Sequence, residues 1–338
     1  MNITYIVGNG LDLQYGLKTK YKDFYEYQNK IYTNKKKNEG YSNLIYESLF
    51  SDKVNNYENW SDFEFSIGQL TINNVITFYS EDERNKFIND FSDVIDDLRN
   101  YLKQEQNKID YKKYKIDFET TLNNLRNELH AVNQSVIDKK YNDNSQQHDT
   151  VNILTLNYTN VIDKLYELSK VKFLNKLRNN NFFFYINAPI HVHGTLDICT
   201  VLGVSDETQI AKNFTEEEKE ALIKTLSLKS FRENMHIKNS DIIKNSDIII
   251  LYGVSLGKTD KYLWQQIAER SVDSTVPIII YNYVPDFDAG NPLRVRSMYK
   301  KVEDKFIDSI DIELQLKKKI RENVIVVIGK TIFELIEE

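Results

Sequence analysis

Between Gly68 and Gly194 the chain carries no glycine, and before Pro189 it carries no proline. A stretch of that length without the two residues that most readily break regular structure favours long helices. The glycines gather at Gly8/Gly10, at Gly194 and at Gly253/Gly257, and each group follows a short β-rich run. That is where α/β proteins build their ligand loops, at the carboxyl ends of strands.

Residues 3–7 read as a buried strand, and Tyr21, Phe24 and Tyr25 at helical spacing predict a helix beyond the loop. Lys35, Lys36 and Lys37, flanked by Asn34 and Asn38, predict a solvated turn. Trp60, Phe63, Ile67 and Leu70 recur every three or four residues and form one helix face, with Trp60 in the core. Glu64, on the same helix but off that face, could point into the cleft, but reads first as a solvated carboxylate. Residues 75–138 read as helical throughout, and 139–150 as an exposed loop. Further strands are expected over 151–156, 182–186, 190–193, 199–204, 248–252, 278–281 and 324–328, with helices over 161–168, 216–226, 259–270 and near 316–321, and a short one at the end. Strands and helices that alternate, with uniformly apolar strands, imply an α/β fold of Rossmann-like type. Its sheet is mostly parallel and covered by helices on both faces. The chain is read as one such domain over 1–338 with a helical insertion over 72–148, which would form a lid or an oligomer contact.

The 338 residues contain 44 Lys plus Arg against 50 Asp plus Glu, a net charge of −6. That balance argues against a nucleic-acid partner, although it allows a local basic patch. Cys199 is the single cysteine, which excludes an internal disulfide or a multi-cysteine zinc site. No basic leader opens the chain, and the longest apolar runs fall far short of the ~18 residues of a membrane span. A cytoplasmic protein without membrane contact is expected, and no metal.

Four segments would converge at the carboxyl edge of such a sheet. Gly8-Asn9-Gly10-Leu11-Asp12 lets backbone approach a phosphate, or is simply a tight turn; a third glycine of the dinucleotide fingerprint is missing. Asn157, just past a strand, can hold a ribose hydroxyl or a water, while Thr159 or Asn160 also suits a helix cap. His191 and His193 alternate along one strand, so both should project from the same face. His193 precedes Gly194 at the mouth of the cleft and suits an acid–base role. His191 lies roughly 6.5–7 Å deeper and suits a supporting hydrogen bond. Gly253-Val254-Ser255-Leu256-Gly257 repeats the strand-to-glycine grammar, and Ser255 can bond a phosphate or ribose.

In order and spacing, Ile6-Val7-Gly8-Asn9-Gly10-Leu11-Asp12, Trp60-Ser61-Asp62-Phe63-Glu64, Asn157-Tyr158-Thr159, His193-Gly194 and Tyr252-Gly253-Val254-Ser255-Leu256 with Asp260 resemble the AbiH family of bacteriophage abortive-infection proteins. More distantly they are similar to the sirtuin-like Rossmann domain of antiphage NAD hydrolases, in which a late strand ends in Asn, as at Asn282. The resemblance implies antiviral defence by binding NAD and cleaving its nicotinamide–ribose bond. Asn157 and His193 would be catalytic. Gly8, Asn9, Gly10, Asp12, Thr159, Gly253, Ser255 and Asn282 would line the dinucleotide. Thr159 stands where sirtuin-type sites usually carry Asp, and Leu11-Asp12 replaces the usual Ser/Thr. The cysteine zinc module of deacetylating sirtuins is absent. Two alternatives are a non-catalytic nucleotide-binding sensor and a metal-dependent nuclease using Asp12, His191 and His193. The partners expected with them are a phage-derived trigger and a homo-oligomer or defence-system partner.

Overall fold

The computed structural model describes residues 1–51, 63–72, 78–176, 179–230, 235–284, 287–333 and 335–337; Trp60, Ser61 and Asp62 lie outside them. The strands are β1 (Asn2–Val7), β2 (Tyr114–Ile116), β3 (Asp149–Thr155), β4 (Phe173–Lys176) and β5 (Asn179–Ile186). They continue with β6 (Ile190–His191), β7 (Ile248–Tyr252), β8 (Ile278–Asn282), β9 (Val324–Ile328) and β10 (Leu335–Glu337). Among the described residues one eight-stranded sheet runs β4-β5-β3-β1-β7-β8-β9, with β6 added beside β3. All its pairings are parallel except the edge pair β4–β5.

The helices before β3 are α1 (Gly10–Gln14), α2 (Tyr21–Glu39), α3 (Leu44–Leu49), α4 (Phe63–Ile72), α5 (Glu81–Gln106), α6 (Phe118–Asn127) and α7 (Ala131–Asp143). After it come α8 (Val161–Ser169), α9 (Glu216–Leu222), α10 (Lys224–Ser230) and α11 (Met235–Lys244). Next are α12 (Lys261–Ser274), α13 (Pro292–Asp308) and α14 (Leu314–Asn323). Local signals explain several starts. Ser80 caps α5 by accepting from the Glu83 amide, while the Glu83 carboxylate accepts from the Ser80 amide. Asn43 caps α3 through the Ile45 and Tyr46 amides.

Strand side chains alternate between two cores, as a sheet buried on both faces requires. Ile3, Tyr5, Ile248, Ile250, Ile279 and Ile325 meet α6, α7 and α8 on one face. Ile6, Ile249, Leu251, Ile278, Ile280 and Val326 meet α12, α13 and α14 on the other, around the fully buried Trp264. A third core, beside the sheet, joins α2–α5 to Tyr158, Leu196, Leu202, Val204, Ile210 and Leu222. Residues 75–138 therefore do not act as one packing unit. Their α5 belongs to the third core, whereas α6 packs on the sheet. No described helix is long and apolar enough to cross a membrane.

Several sequence expectations give way here. Lys35–Lys37 lie within the last turns of α2, where cations complement the helix dipole, instead of in a turn. Helix α7 continues to Asp143, which shortens the expected loop. Residues 199–204 form no strand: Cys199 has φ 51°, and Val204 makes only an isolated parallel bridge to Ile223. The expected helix 216–226 is split at Ile223 into α9 and α10. The segment 75–138 contains the strand β2, and the chain ends on β10 in place of a helix. These two strands pair antiparallel, a contact across more than two hundred residues that local periodicity cannot show.

At the centre of the sheet β1 and β7 run so close that their following glycines touch. A Cβ on Gly10 would lie 2.3 Å from Cα of Gly253. Gly10→Ala should therefore destabilise the fold by about 1–3 kcal/mol through overpacking. Thermal unfolding would read this as a lowered midpoint, and a variant melting with the wild type would contradict so tight a contact.

Candidate active site

Strand order reverses at β1: the chain first builds β3 and β5 on one side, then returns to place β7, β8 and β9 on the other. The carboxyl edge at such a switch point is the usual ligand crevice of an open α/β sheet. The segments after β1, β3, β6 and β7 all reach it.

The glycines after β1 are committed to the neighbouring turn. The Gly8 amide donates to the Tyr252 carbonyl at 2.8 Å and the Gly10 amide to the Gly253 carbonyl at 2.9 Å. A Cβ on Gly8 would come within 2.7 Å of the Gly253 oxygen, and Gly253 itself has φ 63°. These glycines are required because two backbones meet, and neither amide is left for a phosphate. The Asn9 side chain is also occupied, donating to the Thr19 carbonyl and accepting from the Thr19 hydroxyl.

The short helix α1 turns Asp12 inward, where it is 1% exposed. Its carboxylate accepts from Asn157 Nδ2 at 3.0 Å and from Thr159 Oγ1 at 2.7 Å. Asn157 is fixed further by its amide, which donates to Thr155 Oγ1 at 3.1 Å. Asp12 thus faces Asn157, expected to hold a ribose hydroxyl or a water, and Thr159, expected to line the dinucleotide. Burial raises its carboxyl pKa to about 6, against the opposing hydrogen bonds from Thr159 and Asn157.

The two histidines at the end of β6 and just beyond it serve different partners. His191 Nδ1 donates to the Asn157 carbonyl at 2.7 Å, and Nε2 lies 2.8 Å from Asp163 Oδ2 on α8. Both ring nitrogens are thereby engaged in support of the Asn157 backbone. His193 sits past the end of the strand, 2% exposed, between the rings of Tyr158 and Tyr262 at 6.4 Å each. Its Nε2 lies 3.0 Å from Asp260 Oδ1, off the line of a hydrogen bond, and its Nδ1 has no hydrogen-bond partner among the described residues. Burial, helped by the positive charge of Lys224, pushes the His193 pKa below its ordinary value although Asp260 opposes this. The ring is neutral at pH 7. The carboxylate beside Nε2 favours the proton on that atom, which makes Nδ1 the free base.

Behind His193 lies a charge cluster that sequence reasoning missed. Lys224 Nζ sits 2.9 Å from Asp260 Oδ1 and 2.6 Å from Glu64 Oε2. Glu64, expected in solvent, is 3% exposed and also accepts from the Tyr158 hydroxyl at 3.2 Å. The correction has a steric cause: Gly68, one turn on, lets α4 approach the 204–209 loop so closely that a Cβ there would meet the Gln209 oxygen at 2.3 Å. The overlooked signal for Lys224 was a cation in the apolar stripe of Ile223 and Leu228.

Helix α5 holds the loops of this site. Lys18 N donates to Glu105 Oε2, Tyr101 Oη to the Lys18 carbonyl, and Asn160 N to Gln106 Oε1. Ser255 is exposed on its turn, and Asn282 is half-buried at the end of β8. Among the described residues no hydrogen bond joins either one to the Asp12 or His193 groups.

The sequence model of the family described as "Bacteriophage abortive infection AbiH" matches residues 4–282. This chain belongs to the AbiH family. The matched span holds Asp12, Glu64, Asn157, Thr159, His193, Lys224 and Asp260, so the whole site belongs to the AbiH portion, and α13 and α14 lie beyond it. No curated protein matches the chain. Membership gives this AbiH chain a role in bacteriophage abortive infection.

Because Asp12 binds its proton more tightly when folded than an aspartate of ordinary pKa near ~3.9, its contribution favours the fold at low pH. That contribution is lost as pH rises towards about 6. Asp12→Asn removes this dependence. Urea denaturation at pH 4 and pH 7 should show the stability gap moving in the variant's favour by about 2 kcal/mol as pH rises. A gap that stays constant would contradict a raised Asp12 pKa.

Proposed function

We propose that this AbiH chain binds NAD at the carboxyl edge of the sheet and hydrolyses its nicotinamide–ribose bond during abortive infection. The supporting observation is His193: a buried ring with a carboxylate at one nitrogen and the other nitrogen unpartnered among the described residues, packed against Tyr158, whose chain neighbours Asn157 and Thr159 both bond Asp12. The reading rests on the ribose side of NAD. The dinucleotide does not find a phosphate cradle in the Gly8 and Gly10 amides, which are already bonded.

In this reading Asn157 orients a ribose hydroxyl through Oδ1, since its Nδ2 is taken by Asp12. Nδ1 of His193 accepts a proton from water, and the water oxygen bonds to the ribose anomeric carbon. The bond from that carbon to the nicotinamide nitrogen breaks, and its electron pair leaves with nicotinamide, which departs neutral. The transition state resembles an oxocarbenium ion, and the Asp12 carboxylate, ionised above about pH 6, favours the developing positive charge. The nuclease alternative would need Asp12, His191 and His193 around one metal, yet each is engaged with a different partner.

Purified protein incubated with NAD, with and without EDTA, should release nicotinamide equally in both. His193→Ala and Asn157→Ala should reduce release by about 100-fold or more. His191→Ala should mainly lower the melting temperature. Release by His193→Ala at the wild-type rate would overturn the mechanism. NAD binding without release by any form would leave a nucleotide sensor.

A further inference from the structure

A lysine that is 2% exposed is costly unless its charge is answered, and Lys224 is answered by two carboxylates, Glu64 and Asp260. The backbone is shaped to put it there. Lys224 N donates to the Val204 carbonyl and Val204 N to the Leu222 carbonyl, both at 2.9 Å. Gly203 permits this approach, since a Cβ would lie 2.4 Å from the Leu222 oxygen. The same loop is tied to the start of α12: Gln209 Nε2 donates to the Lys258 carbonyl and Tyr262 N to Ser205 Oγ. Three separate chain segments, α4, α10 and the turn before α12, therefore converge on one ammonium group.

The geometry points to Lys224 as a positioning residue that fixes Asp260 and thereby holds His193 as a neutral base with its lone pair on Nδ1. Lys224 Nζ and His193 Nε2 address the same oxygen, Asp260 Oδ1, at 2.9 and 3.0 Å. With Lys224 present, the Asp260 charge is already matched and does not need a protonated imidazole. Without it, Asp260 would be left beside the ring as an unmatched buried anion and would draw a proton onto it. Burial alone would raise the Asp260 pKa and lower that of Lys224. Their mutual attraction, with His193 and Glu64 adding to it, reverses both. The other groups facing the ring, Tyr158 and Tyr262, have pKa values raised by burial and stay neutral, so they do not compete for this role. Glu64 completes the arrangement by sharing the Lys224 charge, which leaves Lys224 strongly held and unavailable to substrate.

The kinetic arm of this inference rests on the NAD-hydrolase reading; the spectroscopic arm does not. In the full-length protein with labelled histidine, the ring nitrogen shifts of His193, assigned with His193→Ala, should show a neutral ring with the proton on Nε2 at pH 7 without NAD. A doubly protonated ring there would overturn the proposal before any substitution is made. Lys224→Met alone strands Glu64, so the paired variant Glu64→Gln with Lys224→Met is the informative one; glutamine still accepts from Tyr158. In that folded variant the His193 pKa should rise by about one unit or more. The acidic limb of the kcat profile for nicotinamide release, where His193 becomes protonated, should move up with it while KM holds. An unchanged His193 titration in the folded variant would overturn the role of Lys224. Absence of NAD cleavage in the wild type with the His193 shift intact would overturn only the hydrolase reading.

Discussion

The contact between two glycine turns sets the geometry on which the site depends. Gly8 and Gly10 after β1 press against Gly253 after β7, and the amides of the first turn bond the carbonyls at the end of the second strand. No side chain fits between them. The close approach brings the ends of adjacent strands together at the point where strand order reverses. It also directs α1 so that Asp12 enters the interior towards Asn157 and Thr159. A glycine pair that resembles a phosphate cradle in sequence is here the hinge pin between two central strands.

Around that contact the molecule divides its apolar surface among three cores. Two cover the faces of the sheet, and the third gathers α2–α5 against the loops that follow β3 and β6. A buried charge cluster lies beside the third core. Glu64 comes from α4, Lys224 from the start of α10, and Asp260 from the turn before α12. Breaking such a cluster by removing one member costs more than the cluster contributes as a whole, so it ties these segments to one relative placement. The end of α5 acts in parallel, bonding the 18 and 160 loops through Glu105 and Gln106.

Much of this was legible in the sequence, and the exceptions have physical causes. Runs such as Ile248–Tyr252 and Val324–Ile328 announce buried parallel strands because both faces are covered and every position is apolar. Asn157, His191 and His193 were recognisable as polar residues near strand ends; His191 bonds the Asn157 carbonyl and Asp163, but at 8% exposure it is less buried than His193 at 2%, the reverse of the expected depth. Glu64 and Lys224 were harder to read, because each looks first like a surface charge on an amphipathic helix; only a partner across space makes burial tolerable. The β2–β10 pair and the unstranded turn at Cys199 depend on contacts or backbone angles that no local period encodes.

In the proposed mechanism Asn157 and His193 border the nicotinamide ribose of NAD. A crystal structure of the His193→Ala protein soaked with NAD is the decisive measurement. Intact dinucleotide is expected, with a ribose hydroxyl at hydrogen-bond distance from Asn157 Oδ1 and the anomeric carbon facing the space vacated by the imidazole. Dinucleotide bound elsewhere on the molecule, with Asn157 still bonded only to Asp12 and His191, would contradict it.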